Sequence, residues 1–288
     1  MSAFTAEWLR LRESADRRAR NRDVANALSA WFALRAHISV IDFGCGTGAN
    51  LRNTAPLLPG RQTWLLIDKD AALLDQARST LAGWADESRE DGDTLVLKKD
   101  GTEITATFAA QDLAKESAEL SARPCDLVTA SALFDLVSVG FIKAFARSAA
   151  RRHAALYATL TYNGAQRWAP HRPTDNQVIA AFNRHQMTDK GFGPAAGPMA
   201  ASALADQLRL EGFNVLEGDS PWRLDKDDRM LVEEIQRGTA MAVLELNPND
   251  AKLVESWVKT VRTGLEIGHT DIFAVPASAS GQFDPPGP

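Results

Sequence analysis

The chain has 288 residues, of which 45% are hydrophobic and 24% charged, and a formal net charge of -5. That is room for one large α/β domain with insertions, and the composition excludes a fibrous or wholly disordered chain. The acidic balance gives no basic field of the kind that draws phosphate backbones, so no nucleic-acid partner is expected.

The first 36 residues read as two helices, with apolar positions at Trp8 and Leu11 and then at Val24, Leu28, Trp31 and Phe32, broken near an Arg-rich middle. The Arg cluster is interleaved with acids and reads as a solvated helix face. A strand at Ser39–Phe43 runs into G-C-G-T-G, and a helix at Ala49–Thr54 is stopped by Pro56 and Pro59-Gly60. A second strand, Thr63–Ile67, ends at Asp68, and Ala71–Trp84 reads as a helix. Thr94–Ala110 is a hairpin candidate with Asp100-Gly101 as its turn. Its second arm ends at Gln111-Asp112-Leu113, with a helix expected over Ala114–Leu120. Strand Asp126–Ala130 leads through S-A-L-F-D-L-V to a helix ending near Ala150, and a fifth core strand, His153–Leu160, ends at Thr161-Tyr162-Asn163-Gly164.

Residues of about 163–198 break the rhythm, being rich in His, Trp, Pro and Gly around a helix at Gln177–Gln186, and read as an insertion covering a site. A helix Ala200–Leu210, a strand Phe213–Leu216, helices at about Asp227–Ala242 and Asn249–Leu265, and a strand His269–Val275 complete the domain. Residues 277–288 read as a disordered tail. Alternating strands and helices predict a doubly wound, mostly parallel sheet whose ligands lie beyond the strands' carboxyl ends. The two cysteines, Cys45 and Cys125, belong to no C-x-x-C or His/Cys cluster, so neither a disulfide framework nor a metal site is expected. No leader pattern or bilayer-length apolar run is read, which predicts a cytoplasmic chain without a membrane partner.

The loop V-I-D-F-G-C-G-T-G-A-N at 40–50 fits two kinds of ligand. Gly44, Gly46 and Ala49 fill a dinucleotide pattern, with Asp68 placed for a ribose, which keeps an NAD(P)-dependent oxidoreductase in view. Asp42, however, puts a carboxylate beside the loop. It repels a pyrophosphate and attracts the ammonium and sulfonium of S-adenosylmethionine (SAM); the same residue could instead bond the turn's backbone amides. Asp112 has two readings as well, as a partner of adenine's exocyclic amine or as a helix N-cap.

With V-I-D-F-G-C-G-T-G at 40–48, L-L-I-D at 65–68, A-Q-D-L at 110–113, C-D-L-V-T-A-S-A-L-F-D-L at 125–136 and I-G-H-T-D-I-F-A-V-P at 267–276, the chain resembles the class I SAM-dependent methyltransferases. The resemblance covers the core without the insertion and implies a seven-stranded Rossmann-like sheet with its last strand antiparallel, in a domain at 37–276; the leading helices at 1–36 read as a helical lid over it. The resemblance implies that Gly44, Gly46 and Gly48 meet the methionine portion, beside which the charge argument sets Asp42. Asp68 would serve the ribose, Asp112 and Leu113 the adenine, and Ser131 and Leu133 the methyl end; Lys69, next to Asp68, is a further cofactor-binding candidate. Where the family often has a His-His pair after the fourth strand, this chain has Phe134-Asp135.

Methyl transfer from a sulfonium is an in-line displacement with a good leaving group, so alignment and exclusion of water dominate. A base is required only where the nucleophile starts protonated. Asp135, Tyr162 and His185 are the catalytic candidates, with helix-dipole placement the competing reading of Asp135. His171 and Asp189 share the neighbourhood, while His153 and His269 read as structural. Phe134, Tyr162, Trp168 and Phe192 could border the sulfonium or the acceptor, and Trp8 and Trp31 could belong to the lid. The insertion favours a compact, small-molecule acceptor and a monomer or homodimer. An RNA or protein methyltransferase predicts a basic face or an appended domain, and a SAM-binding protein without catalysis predicts ligand binding alone.

Overall fold

In the computed structural model, which describes residues 5–115 and 124–277, the Arg-rich start folds as α1 (Ala6–Ala19) and α2 (Arg22–Phe32), and they meet at Asn21. The Asn21 side chain accepts from the amides of Asp23 and Val24 and so starts the second helix. The chain then alternates: β1 (His37–Phe43), α3 (Ala49–Thr54), β2 (Arg61–Asp68), α4 (Ala71–Trp84), β3 (Glu87–Asp91), β4 (Thr94–Lys99), β5 (Thr102–Ala110) and β6 (Leu127–Ser131). It continues with α5 (Val139–Arg152), β7 (Ala155–Ala169), α6 (Asp175–Gln186), α7 (Ala200–Leu210), β8 (Phe213–Asp219), β9 (Trp222–Leu224), α8 (Arg229–Leu246), α9 (Ala251–Val258) and β10 (Gly264–Pro276).

One sheet runs β3-β4-β5-β2-β1-β6-β7-β10-β8, with β9 paired to β10. Strands β5, β2, β1, β6 and β7 are mutually parallel, and β10 lies antiparallel between β7 and β8. The expected seven-stranded core with an antiparallel last strand is therefore present as β5-β2-β1-β6-β7-β10-β8. Strands β3, β4 and β9 are added to it. The hairpin of β4 and β5 turns on Asp100 and Gly101, at φ 47° and 80°, the left-handed pair that a two-residue turn between twisted strands requires.

Several elements differ from the sequence expectation. The fifth core strand continues to Ala169 instead of ending at Thr161, because its far half pairs with the start of β10, Trp168 opposite Leu265 and Ala169 opposite Gly264. The helix expected over Asn249–Leu265 stops at Val258, since Gly264 and Leu265 are drawn into that pairing. Strand β3, E-S-R-E-D, is exposed throughout and has no apolar alternation to mark it. The helix expected at Ala114–Leu120 and the tail at 277–288 fall almost wholly outside the described residues.

Helices cover both faces of the sheet. Leu28 and Phe32 of α2 pack with Val40, Trp64 and Tyr157 on one face, and Phe145 and Leu204 pack with Ile41, Val128 and Leu156 on the other. A third cluster, built on Trp168, Trp222 and Trp257, joins α6, α8 and α9 to the long arms of β7 and β10. Among the described residues no helix is long and apolar enough to cross a membrane.

Asp271 ties this layer to the leading helices. Its buried carboxylate accepts from the amides of Leu160 at 2.8 Å and Asn21 at 2.9 Å and from the Ser220 hydroxyl at 2.6 Å. Leu160 is held there at φ 56°, a left-handed conformation uncommon for a branched side chain. Asp271→Ala leaves two buried donors and one half-buried donor unpaired and is expected to cost about 3 kcal/mol. The melting midpoint should fall by roughly 6–12 °C; a change of about one degree would mean that these bonds are dispensable.

Candidate active site

The turn between β1 and α3 is built on Gly44, Gly46 and Gly48, at φ 66°, 52° and 77°. All three angles are strained for any other residue. The loop is fastened by bonds from Cys45 N to Ile67 O at 3.0 Å and from Gly48 N to Cys45 O at 2.9 Å. Gly46 N also donates to Asp68 Oδ2 at 2.9 Å, while Asp68 Oδ1 accepts from Asp70 N at 3.0 Å. Each carboxylate oxygen has room for a further donor. Above the loop lies α1: a Cβ at Gly46 would stand 3.0 Å from Leu9 Cδ1, and one at Gly44 3.3 Å from Leu133 Cδ1. Glu13 of α1 is paired with Arg52 at 2.7 Å, and Arg52 in turn donates to the Thr47 carbonyl. Gly46→Val combines a forbidden φ with a clash against Leu9, and is expected to destabilise by about 2 kcal/mol or more in thermal unfolding.

Asp42 is fully buried at the end of β1. Asn50 donates to Oδ1 at 2.7 Å, and Oδ2 has no partner. Burial lifts the carboxyl to a pKa of about 7, against the pull of Asn50 and the Arg20 guanidinium. Arg20 itself donates to Asn50 Oδ1 at 2.7 Å and to Thr54 at 3.0 Å. Of the two sequence readings, bracing the turn's amides is thus done by Asp68, whereas Asp42 keeps one oxygen unused.

At the end of β5, Asp112 accepts from Ala114 N at 3.1 Å and pairs with Lys115 at 3.2 Å. These partners, with exposed Lys69 nearby, hold its carboxyl below the usual range. Half-buried Leu113 packs against the sheet. Half-buried Ser131 ends β6, and Ala132 at φ 51° passes its amide to Thr159 O at 2.9 Å. Leu133 then faces Gly44, and Asp135 sits in a 3-10 turn at Phe134–Leu136. Asp135 does not open the following helix: Ser138 caps α5, accepting from Phe141 N. The carboxyl of Asp135 is buried with Oδ1 unpartnered, and burial raises it to a pKa of about 6 despite Arg12 and the Tyr162 amide.

The other two catalytic candidates are engaged elsewhere. The Tyr162 hydroxyl donates to Asn183 Oδ1 at 2.7 Å and accepts from Gln166 at 3.0 Å, and burial pushes the phenol far up, so it stays protonated. His185 lies 3.3 Å from Glu245 on α8 and 3.4 Å from Lys190; burial and that ammonium lower its pKa. The following loop docks beside α5 through the Ser138–Ala195 bridge and the edge contact of Phe192 with Phe141.

Leu9 and Trp222 carry no signal in the sequence, Arg12 reads there as part of a solvated helix face and His269 as structural; the structure brings Arg12, Trp222 and His269 together. Arg12 is fixed by Asp16 at 2.9 and 3.1 Å and lies 5.0 Å above the Trp222 ring, whose Nε1 donates to Asp16 at 3.0 Å. Only the four-residue spacing of Arg12 and Asp16 was visible in sequence. Among the described residues no group of three or more His, Cys, Asp or Glu side chains is gathered to hold a metal ion.

No protein-family model matches the sequence, and no curated protein matches it. Solved structures do match in fold. A proposed methyltransferase from Bacillus halodurans superposes with a TM-score of 0.51 at 13% identity, over 89% of this chain and 100% of that one. The YcgJ protein of Bacillus subtilis gives 0.51 and 13%, over 90% and 100%. The chain therefore has the fold of these proteins.

Proposed function

We propose that the chain is a methyltransferase that binds SAM across the carboxyl ends of β1, β2 and β5 and methylates a small-molecule acceptor. The observation that carries this reading is Asp42, a buried carboxylate with one unused oxygen beneath a glycine loop, in the fold shared with a proposed methyltransferase. A pyrophosphate would meet repulsion there, and an ammonium would meet its counter-charge.

In this reading Gly44, Gly46, Gly48 and Asp42 hold the methionine portion. Asp68 offers its remaining lone pairs to the ribose beside Lys69, Asp112 and Leu113 border the adenine, and Ser131 and Leu133 line the methyl end. SAM supplies an activated methyl group, and the protein supplies its surroundings. Residues 1–36 act as a lid, with Leu9 and the Glu13–Arg52 pair closing over the loop and excluding water. Residues 37–276 form the methyltransferase domain, and the insertion at about 163–198 covers a compact acceptor. In this reading Asp135 receives a proton when the acceptor gives one up, which its unpartnered Oδ1 supports.

The pH dependence of binding tests the role of Asp42. Its carboxyl is protonated below about pH 7 in the free protein, so binding a cationic ligand must release that proton. Affinity for S-adenosylhomocysteine, whose ammonium persists in this range, should fall up to about tenfold from about pH 7 to about pH 6. In Asp42→Asn the profile should be flat over that interval by isothermal titration. A flat wild-type profile would remove Asp42 from the ligand site.

A further inference from the structure

On the far side of the glycine loop, five elements bring together a set of side chains that cofactor binding does not use. Trp8 and Arg12 lie four residues apart on one face of α1. Tyr162 comes from β7, Trp222 from β9, His269 from β10 and Asp135 from the turn after β6. The His269 ring is 5.2 Å from Trp222 and 6.2 Å from Tyr162. Arg12 lies over Trp222, and its charge is felt at both His269 and Asp135. Three buried atoms in this cluster have no hydrogen-bond partner: Trp8 Nε1, His269 Nδ1 and Asp135 Oδ1. Buried polar atoms are normally satisfied, so three together mark a place where a polar ligand or water belongs.

The charges facing the cluster select the ligand. Arg12 is neutralised by the two-pronged bond from Asp16, and burial beside Arg12 keeps the His269 ring neutral, its pKa pushed down to about 3. Tyr162 keeps its proton on bonds to α6. Among the described side chains of the cluster, that leaves Asp135 as the carboxylate without an ion pair and with an unpartnered oxygen, beside aromatic faces of which one already carries a guanidinium. A carboxylate next to aromatic rings favours a small cation, whereas an anion would be repelled by Asp135 and find Arg12 already taken.

We propose that this cluster is the acceptor site and that it takes a small amine, with an N–H on Asp135 Oδ1 and its alkyl or aryl body against Trp222 and Tyr162. The proposal rests on the methyltransferase reading for its biological meaning and on the cluster alone for its chemistry.

Benzylamine, benzyl alcohol and benzoate are suitable probes, differing mainly in the polar group. Binding is measured by saturation-transfer NMR and titration on the full chain, with and without saturating S-adenosylhomocysteine. Benzylamine should bind at least about tenfold more tightly than either of the others. Asp135→Asn should abolish that preference while the fold is retained, and Trp222→Leu should weaken all three probes. Equal binding of the alcohol or benzoate, a preference that survives Asp135→Asn, or no benzylamine binding up to about 10 mM would overturn the assignment. Amine selectivity without any binding of S-adenosylhomocysteine would leave the amine site standing and remove the methyltransferase reading instead.

Discussion

Arg262→Ala is expected to destabilise the protein by about 3–5 kcal/mol, the range for breaking a buried ion pair by removing one partner. The Arg262 and Asp175 side chains are 1% and 2% exposed and meet at 2.6 Å. Asp175 also accepts from Trp257 Nε1 at 2.8 Å and Arg172 N at 2.7 Å, while Arg262 donates to the Pro170 carbonyl at 2.7 Å. The guanidinium lies between two rings, 5.3 Å from Trp168 and 5.2 Å from Trp257. Its removal leaves a buried carboxylate without its counter-charge and a gap between two indoles. Thermal unfolding should show a midpoint lowered by roughly 10 °C or more. A double variant, Arg262→Met with Asp175→Leu, should recover part of the loss, because an apolar pair can replace a buried ion pair at little cost. If the double variant lost as much as the two single ones summed, the pair would have no mutual coupling and the explanation would fail.

Asp68→Ala is expected to weaken S-adenosylhomocysteine binding on the order of a hundredfold, or about 3 kcal/mol. Two losses combine in it. The Gly46 amide loses the acceptor that shapes the loop, and in the proposed binding mode the ribose loses a charged acceptor. Asp68→Asn separates them, since an amide oxygen still receives the Gly46 N–H while the charge is gone. It should bind with an affinity between wild type and Asp68→Ala. Both variants should unfold cooperatively, and affinity by titration calorimetry is the measurement. Wild-type affinity in Asp68→Ala would place the ribose elsewhere.

Much of this architecture was legible from short patterns. The glycine spacing marks a tight strand-to-helix turn, Asp100-Gly101 marks its hairpin, and the alternation of strands and helices predicts the mostly parallel sheet. The missing parts share a physical cause: they depend on pairing between distant segments. The outer half of β7 is polar and alternates weakly, and it is a strand because β10 lies beside it. Asp42 and Asp68 were both marked as cofactor residues, yet which of them braces the turn depended on side-chain direction, which a sequence does not carry. His269 read as a strand residue, and Arg12 as one charge among many. Arg12 meets Trp222 because α1 packs on β9, a contact between segments more than 200 residues apart in the chain, and His269 meets it because β10 pairs with β9. Asp135 reads in the sequence as a catalytic candidate or a helix-start residue, and the intervening 3-10 turn that separates it from α5 is not visible in S-A-L-F-D-L-V.

The ligand of the glycine loop is the central claim, and calorimetric titration of the purified chain with S-adenosylhomocysteine, NAD and NADP, each alone at neutral pH, tests it most directly. Saturable one-to-one binding of S-adenosylhomocysteine, with no heat from either dinucleotide, is the predicted result. Binding of NAD or NADP without S-adenosylhomocysteine would contradict the account, because Asp42 would then lie beside a pyrophosphate it should repel.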